Sequence, residues 1–304
     1  MRADSRAAGV VELAAEQGGL VTSRQARVVG VTAHQLKRMA DSGQLERLHH
    51  GIYRVTRFPH DKHQAQRAAW LALDPGIVSW ERLDQDVPVG VLSHATAAQM
   101  QNLGDMAADT VELTAIRRIR LGIPDAVVHR GDLTRDDWEV IDGLPVTTPA
   151  RTISDLAAAS IDAGHLASIV RDAVADDRLT FEKVAEALSP HVFRYGYQQF
   201  DGAGFRDALI DQAGVPANAI ALAEIASNSL AAQQRKAATP GPGWQRADAM
   251  SAFDATVESL ERMHQVLDTT PETIKAFERL ESAITRLGDE LAAMTEATDQ
   301  EQER

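Results

Sequence analysis

The chain has 304 residues, 44% hydrophobic and 5% aromatic, with no cysteine. That length allows two or three cores and excludes disulfides and thiolate metal sites. Asp and Glu number 44 against 31 Lys and Arg, a net charge of −13, which argues against coating of nucleic acid by the whole surface.

The N-terminal run MRADSRAAGVVELAAEQ has charges interrupting every apolar stretch. It does not read as a secretory signal, and no segment has the ~18 uninterrupted apolar residues of a membrane span, so a cytoplasmic location is expected. Within it, Ala7–Gln17 is expected to be an amphipathic helix with Val10, Val11, Leu13 and Ala14 on its inner side, stopped by Gly18-Gly19.

Residues 20–55 are the most informative stretch. Thr22 is followed at the third position by Gln25, and Thr32 by Gln35. In each pair the hydroxyl can accept from a first-turn amide while the Gln reaches back to the cap, so two short helices are expected to start there. Gly30 supplies the turn between them, and Val31 and Leu36 form a hydrophobic staple around the second cap. Leu36 and Met39 face inward, leaving Thr32, His34, Gln35, Lys37 and Arg38 on the outer face of the first turns. Gly43 ends the helix. Gln44–Leu48 and Gly51–Val55 then read as two strands joined at His49-His50. Three helices and a hairpin over residues 1–56 predict a winged helix-turn-helix, whose second short helix enters the major groove. In that arrangement Thr32, His34, Gln35, Lys37 and Arg38 would read or grip the groove. Arg24 and Arg27 would clamp phosphate, and His49, His50 and Arg54 would take the flanking backbone. The plainer alternative is a small helical domain with a solvated basic face. Charge favours DNA: residues 1–60 hold nine Lys and Arg against five Asp and Glu, a net of +4, which leaves −17 for residues 61–304. A cationic head on an anionic body is the asymmetry expected when only one end meets phosphate.

Residues 57–213 read as a mixed α/β body. Helices are expected at 63–73, 93–103, 148–158, 164–176, 180–188 and 204–213, and strands at 88–92, 110–115, 126–129 and 144–147. Thr148-Pro149 is a strong helix start, with Thr as cap and Pro at the first helical position. Ser93 reads as a helix cap, and Arg151 is expected to pair with Asp155 one turn on. The basic run Arg117-Arg118-Ile119-Arg120 could extend a nucleic-acid or partner footprint or be a solvated strand edge. Trp70, Trp80 and Trp138 are expected in or near the core.

Residues 214–304 read as a helical extension: a helix over 218–236, a linker at 237–246, and a helical hairpin from 251–267 and 272–294. Phe277, Leu280, Ile284, Leu287, Leu291 and Met294 form a short a/d seam, which must pack on a neighbour or on a second copy to form a dimer. The whole is therefore of the α+β class.

No catalytic constellation is legible. Phosphate-cradling glycine loops are absent. His49-His50 and the His60/His63 pair lack cysteine and a well-spaced carboxylate, so no metal site is expected. Ser93 and His94, adjacent at a helix start, are not expected to meet as a nucleophile pair. No enzyme activity and no cofactor are anticipated.

The order HHGIYRV at 49–55, GVLSHATAAQMQNLG at 90–104, VVHRGDLTRDDW at 127–138 and GLPVTTPARTISDLA at 143–157 resembles the AbiEi-type antitoxins of type IV toxin–antitoxin systems, over roughly residues 5–210. The resemblance implies a DNA-binding head that represses its own operon and a following antitoxin domain that opposes a nucleotidyltransferase-like toxin encoded alongside. A related architecture places such a head before a restriction-type nuclease fold, which needs an Asp and a Glu-x-Lys-like pair on adjacent strands to hold a metal ion. After residue 157 no such strand pair is legible. Glu182-Lys183 is adjacent rather than spaced and sits in a helical pattern.

Overall fold

The computed structural model describes residues 2–214. The expected helix 218–236, linker 237–246, hairpin and a/d seam lie outside the described residues. The described chain is α+β, with a small winged head running into a larger mixed-sheet trunk.

In the head, α1 (Arg2–Ala15) buries Val10 and Ala14 and ends before Gly18 and Gly19, both at positive φ. A three-residue strand follows, β1 (Leu20–Thr22), then α2 (Ser23–Val28), α3 (Ala33–Asp41), β2 (Leu45–His49) and β3 (Ile52–Val55). Both capping boxes form as the sequence predicts. Gly30, at φ +81°, makes the inter-helix turn, and Gly51, at φ +78°, makes the wing turn. Both conformations are cheap only for glycine. β3 is central, antiparallel to β2 on one side and to β1 on the other. β1 is not among the expected elements: its three buried residues give no alternation to read.

The trunk begins with α4 (Gln64–Leu73) and α5 (Ser79–Leu83). β4 (Val91–Leu92) and α6 (His94–Met100) follow, then β5 (Val111–Ala115) and β6 (Ala126–Arg130). A 3-10 turn over Arg135–Asp137 leads into the hairpin β7 (Trp138–Ile141) and β8 (Leu144–Thr147). The sheet order is β6-β5-β4-β8-β7. β6 runs parallel to β5 and β8 parallel to β4, while β5 is antiparallel to β4 and β7 to β8. Helices α7 (Pro149–Ala158), α8 (Ala163–Ala175), α9 (Phe181–Leu188) and α10 (Gly202–Gln212) close the described chain. No strand occurs among the described residues after Thr147. No described helix is long and apolar enough to cross a membrane.

Three expectations are corrected. The strand expected at 88–92 shortens to Val91–Leu92. The Trp70 indole N–H donates to the Gly90 carbonyl at 2.9 Å, and a β-carbon at Gly90 would collide with Leu73, so this stretch is spent on packing under α4. Trp80 is 58% exposed, unlike Trp70 and Trp138, because short α5 turns Ser79 and Arg82 inward instead. Ser93 stands at the N-cap of α6 but makes no capping bond; its hydroxyl accepts from Thr114 Oγ1 at 2.8 Å.

Head and trunk share a core. Val10, Val21, Ala26, Val31, Leu36, Leu45 and Val55 cluster within the head, whereas Leu20 and Ile52 pack with Trp70, Leu71, Leu92, Leu113 and Val146 of the trunk. Strand alternation explains the split, since successive residues of β1 face opposite sides. A buried amide pair reinforces the junction. Gln17 Nε2 donates to Gln25 Oε1 at 3.0 Å, and Gln25 Nε2 returns the bond to Gln17 Oε1 at 2.9 Å. Gln25 Nε2 also donates to the Ile77 carbonyl (2.9 Å), and the Ser79 amide donates to Gln17 Oε1 (3.0 Å). Thr22 Oγ1 donates to the Pro75 carbonyl. The first capping box is thus also a bolt between head and trunk.

Candidate nucleic-acid interface

The two capping boxes are alike locally and opposite in setting. At α2, Thr22 and Gln25 are buried, and the Thr22 amide donates to Gln25 Oε1 at 3.0 Å. At α3 the equivalent bond, from the Thr32 amide to Gln35 Oε1 at 2.8 Å, lies at the surface. Val31 and Leu36 are buried beneath it as the staple requires. Trunk contacts therefore fix α2, and α3 presents its N-terminal turns outward.

Thr32, His34, Lys37 and Arg38 are exposed, and Gln35 is half-buried with its Oε1 committed to the cap. Its amide N–H groups carry what reading capacity it retains. Neither Lys37 nor Arg38 has an ion-pair partner among the described residues, so none of their carboxylates competes for those charges. Arg24 and Arg27 are exposed on α2. At the wing, His50 is exposed and its Nδ1 meets Arg47 Nη2 at 3.0 Å, while His49 is half-buried.

Arg54 does not belong with these. It is 8% exposed, its Nε and Nη2 bind Glu46 Oε2 at 2.8 Å each, and Nη1 donates to the Phe58 carbonyl at 3.0 Å. Alternation along β3 puts it on the side of Ile52, opposite Tyr53 and Val55. Its charge is neutralised and its donors are used, so it is removed from the set expected to touch DNA. Arg47 is the exposed arginine of the wing hairpin. It folds back on the turn, with Nε donating to the His49 carbonyl at 3.4 Å. Its position opposite Tyr53 in the hairpin register was the available signal.

A second polar cluster lies in the trunk, where the sequence reading placed no site. His94 and His129 stack with ring centroids 3.9 Å apart. His129 Nε2 meets Glu112 Oε1 at 3.0 Å, and His94 Nδ1 meets Ser93 Oγ at 2.9 Å. The Ser93–His94 contact therefore exists, contrary to expectation, because His94 adopts a left-handed φ of +53°. Ser93 is wholly buried, so it is no accessible nucleophile. Burial pushes His94 below the ordinary histidine pKa; Asp155 and Glu112 oppose that, while His129 adds to it. Burial raises the Glu112 carboxyl, but bonds from His129 and from the Ala95 amide (3.0 Å) outweigh it and hold Glu112 below its usual value. Next to the cluster, Arg151 pairs with Asp155 at 2.8 Å, as the spacing suggested, and with Asp137 at 3.2 Å. His60 and His63 are not joined; His63 faces Asp142 at 3.2 Å. Arg117, Arg118 and Arg120 lie exposed between β5 and β6. Lys183, in α9, pairs with Glu186 at 2.8 Å.

An outward-facing capped helix, a helix fixed behind it and a three-stranded wing define the head as a winged helix-turn-helix of the DNA-binding class. Residues 10–56 match the family described as transcriptional regulator, AbiEi antitoxin. No curated protein matches the chain.

Proposed function

We propose that this chain is a non-enzymatic antitoxin of a type IV toxin–antitoxin system that binds operator DNA through α3 and represses its own operon. The observation that carries the reading is the outward face of α3, where Lys37 and Arg38 are exposed and have no ion-pair partner among the described residues, on a head bolted to an acidic trunk. Thr32, His34 and Gln35 face the base edges, Lys37 and Arg38 grip bases or phosphate, and Arg24, Arg27, Arg47, His49 and His50 hold the flanking backbone. The trunk, in this reading, opposes a nucleotidyltransferase-like toxin in the cytoplasm, as the resemblance implies. Paired half-sites would suit two copies of the chain. The test is a footprint of the purified full chain on its own upstream DNA. A protected site there supports the reading; no protection at low salt, where phosphate contacts are strongest, defeats it.

A second reading makes the trunk a direct toxin-binding surface with DNA contact secondary. Trp80, Phe193 and Phe200, each more than half exposed, are the apolar side chains such a surface would use. Co-purification with the product of the neighbouring gene distinguishes direct binding from indirect antagonism.

A further inference from the structure

We propose that His94, Glu112 and His129 form a site for one divalent transition-metal ion of the zinc type. The three residues come from three separate segments: the start of α6, β5 and β6. Each offers a ligand atom, and these atoms lie within 4.8 Å of one another. Two imidazoles and one carboxylate are a donor set that zinc and neighbouring first-row ions accept, with a position left open. No other group of three or more potential ligands converges in this way among the described residues.

The fold builds the site rather than leaving it to chance. β5 and β6 run parallel with Thr114 opposite His129 and Glu112 opposite Val127. Period-two alternation therefore puts Glu112, Thr114 and His129 on one face. β4 joins β5 on its other side and delivers Ser93 and His94 there. The outer contacts then orient the ligands. Ser93 Oγ engages His94 Nδ1 and is itself fixed by Thr114 Oγ1, which leaves Nε2 of His94 as the nitrogen without a protein partner. The Ala95 amide occupies Glu112 Oε2 at 3.0 Å, leaving Oε1 turned toward His129. Such outer contacts fix tautomer and ring orientation in metal sites.

The local charge suits a cation. Arg151 is the one nearby cation in the pairing network, and Asp137 and Asp155 both pair with it. The second oxygen of Asp155 is buried without a hydrogen-bond partner, so the surroundings are net negative before Glu112 is counted. His94 itself is 9% exposed and held at φ +53°, a conformation that an L residue adopts rarely. Strained, well-supported backbone of this kind concentrates at functional sites. The cluster also joins the runs SHATAA and VVHRGD, with Arg151 and Asp155 of TPARTISD alongside, so three separate motifs of the sequence meet here.

The experiment uses the metal-stripped full chain, titrated with Zn²⁺ by calorimetry and with Co²⁺ by visible absorption. One Zn²⁺ per chain is expected at this site, with a Co²⁺ ligand-field spectrum that includes nitrogen donors. Loss of an outer-shell partner alone costs about 10–100-fold in affinity, so His129→Ala and Glu112→Gln should each weaken binding by at least about tenfold. His129 is half-exposed, and Glu112→Gln keeps the side-chain shape, so at least one variant should remain folded by circular dichroism. His94→Asn, which tolerates the left-handed backbone, should act the same way. The double variant His49→Ala/His50→Ala should bind as the parent does. The proposal fails if no saturable binding occurs. It also fails if binding persists unchanged in folded His129→Ala or Glu112→Gln, or if it is lost in the wing double variant.

Discussion

Replacing Gln25 by Ala tests the bolt between head and trunk. The substitution removes four hydrogen bonds: two between the Gln17 and Gln25 amides, one from the Thr22 amide and one to the Ile77 carbonyl. Gln17 keeps its bonds to the Leu20 carbonyl and from Ser79, so the network is damaged rather than erased. Net hydrogen bonds contribute roughly 0.5–1.5 kcal/mol each, and a buried group left without a partner costs about 1–3 kcal/mol. With partial compensation, a loss of about 3 kcal/mol is expected. Gln35→Ala is the internal control, because it breaks the sibling capping box at an exposed site. Water can replace its bonds, so only about 0.5–1 kcal/mol should be lost. Urea denaturation of the full chain, compared by midpoint at constant slope, reads both. Equal losses in the two variants would refute the idea that the first box holds the head to the trunk.

Two other outcomes follow from the same geometry. Arg54→Ala should cost stability, about 1–3 kcal/mol, through the lost Glu46 and Phe58 contacts; under folded conditions it should leave the salt dependence of DNA binding unchanged, and a shallower slope would return Arg54 to the interface. Stability should fall on acidification. Burial, reinforced by Arg194, holds His191 below the ordinary histidine value. The unfolded chain therefore takes up a proton there first, and stability present above that range declines as pH drops through it. At lower pH, Asp61 and Asp137 follow. Burial raises both carboxyls, but the His63 amide and Arg67, and Thr134 and Arg151, outweigh it and hold them below the ordinary aspartate value. Melting temperature measured from pH 8 to pH 3 should decline in that order; a rise between neutrality and the histidine range would contradict it.

The parts of the fold readable from sequence are those fixed by local chemistry. Thr22 with Gln25 and Thr32 with Gln35 cap helices within four residues, and Pro149 starts α7 where proline fits, although Thr148 stands at its N-cap without the expected side-chain bond. Leu144–Thr147 was legible as a short apolar strand between Gly143 and the cap. The parts that escaped depend on what lies across the fold. β1 exists because β3 pairs with it, and β7 because β8 does. Arg54 looked like one more wing cation; only strand parity and Glu46 show that it faces inward. His94, Glu112 and His129 are far apart in sequence and meet through the parallel pairing of β5 and β6. On α3 the outward face was legible because one staple and one cap orient it, while the signal for Arg47, its place opposite Tyr53, depends on the hairpin register.

The most direct measurement compares the full chain with Lys37→Ala/Arg38→Ala on the upstream DNA across a range of salt concentrations. Each phosphate contact contributes about 0.9 to the slope of log affinity against log salt. The double variant should bind more weakly, with a slope shallower by about one to two units. An unchanged affinity and slope, in a variant that melts like its parent, would take α3 off the DNA.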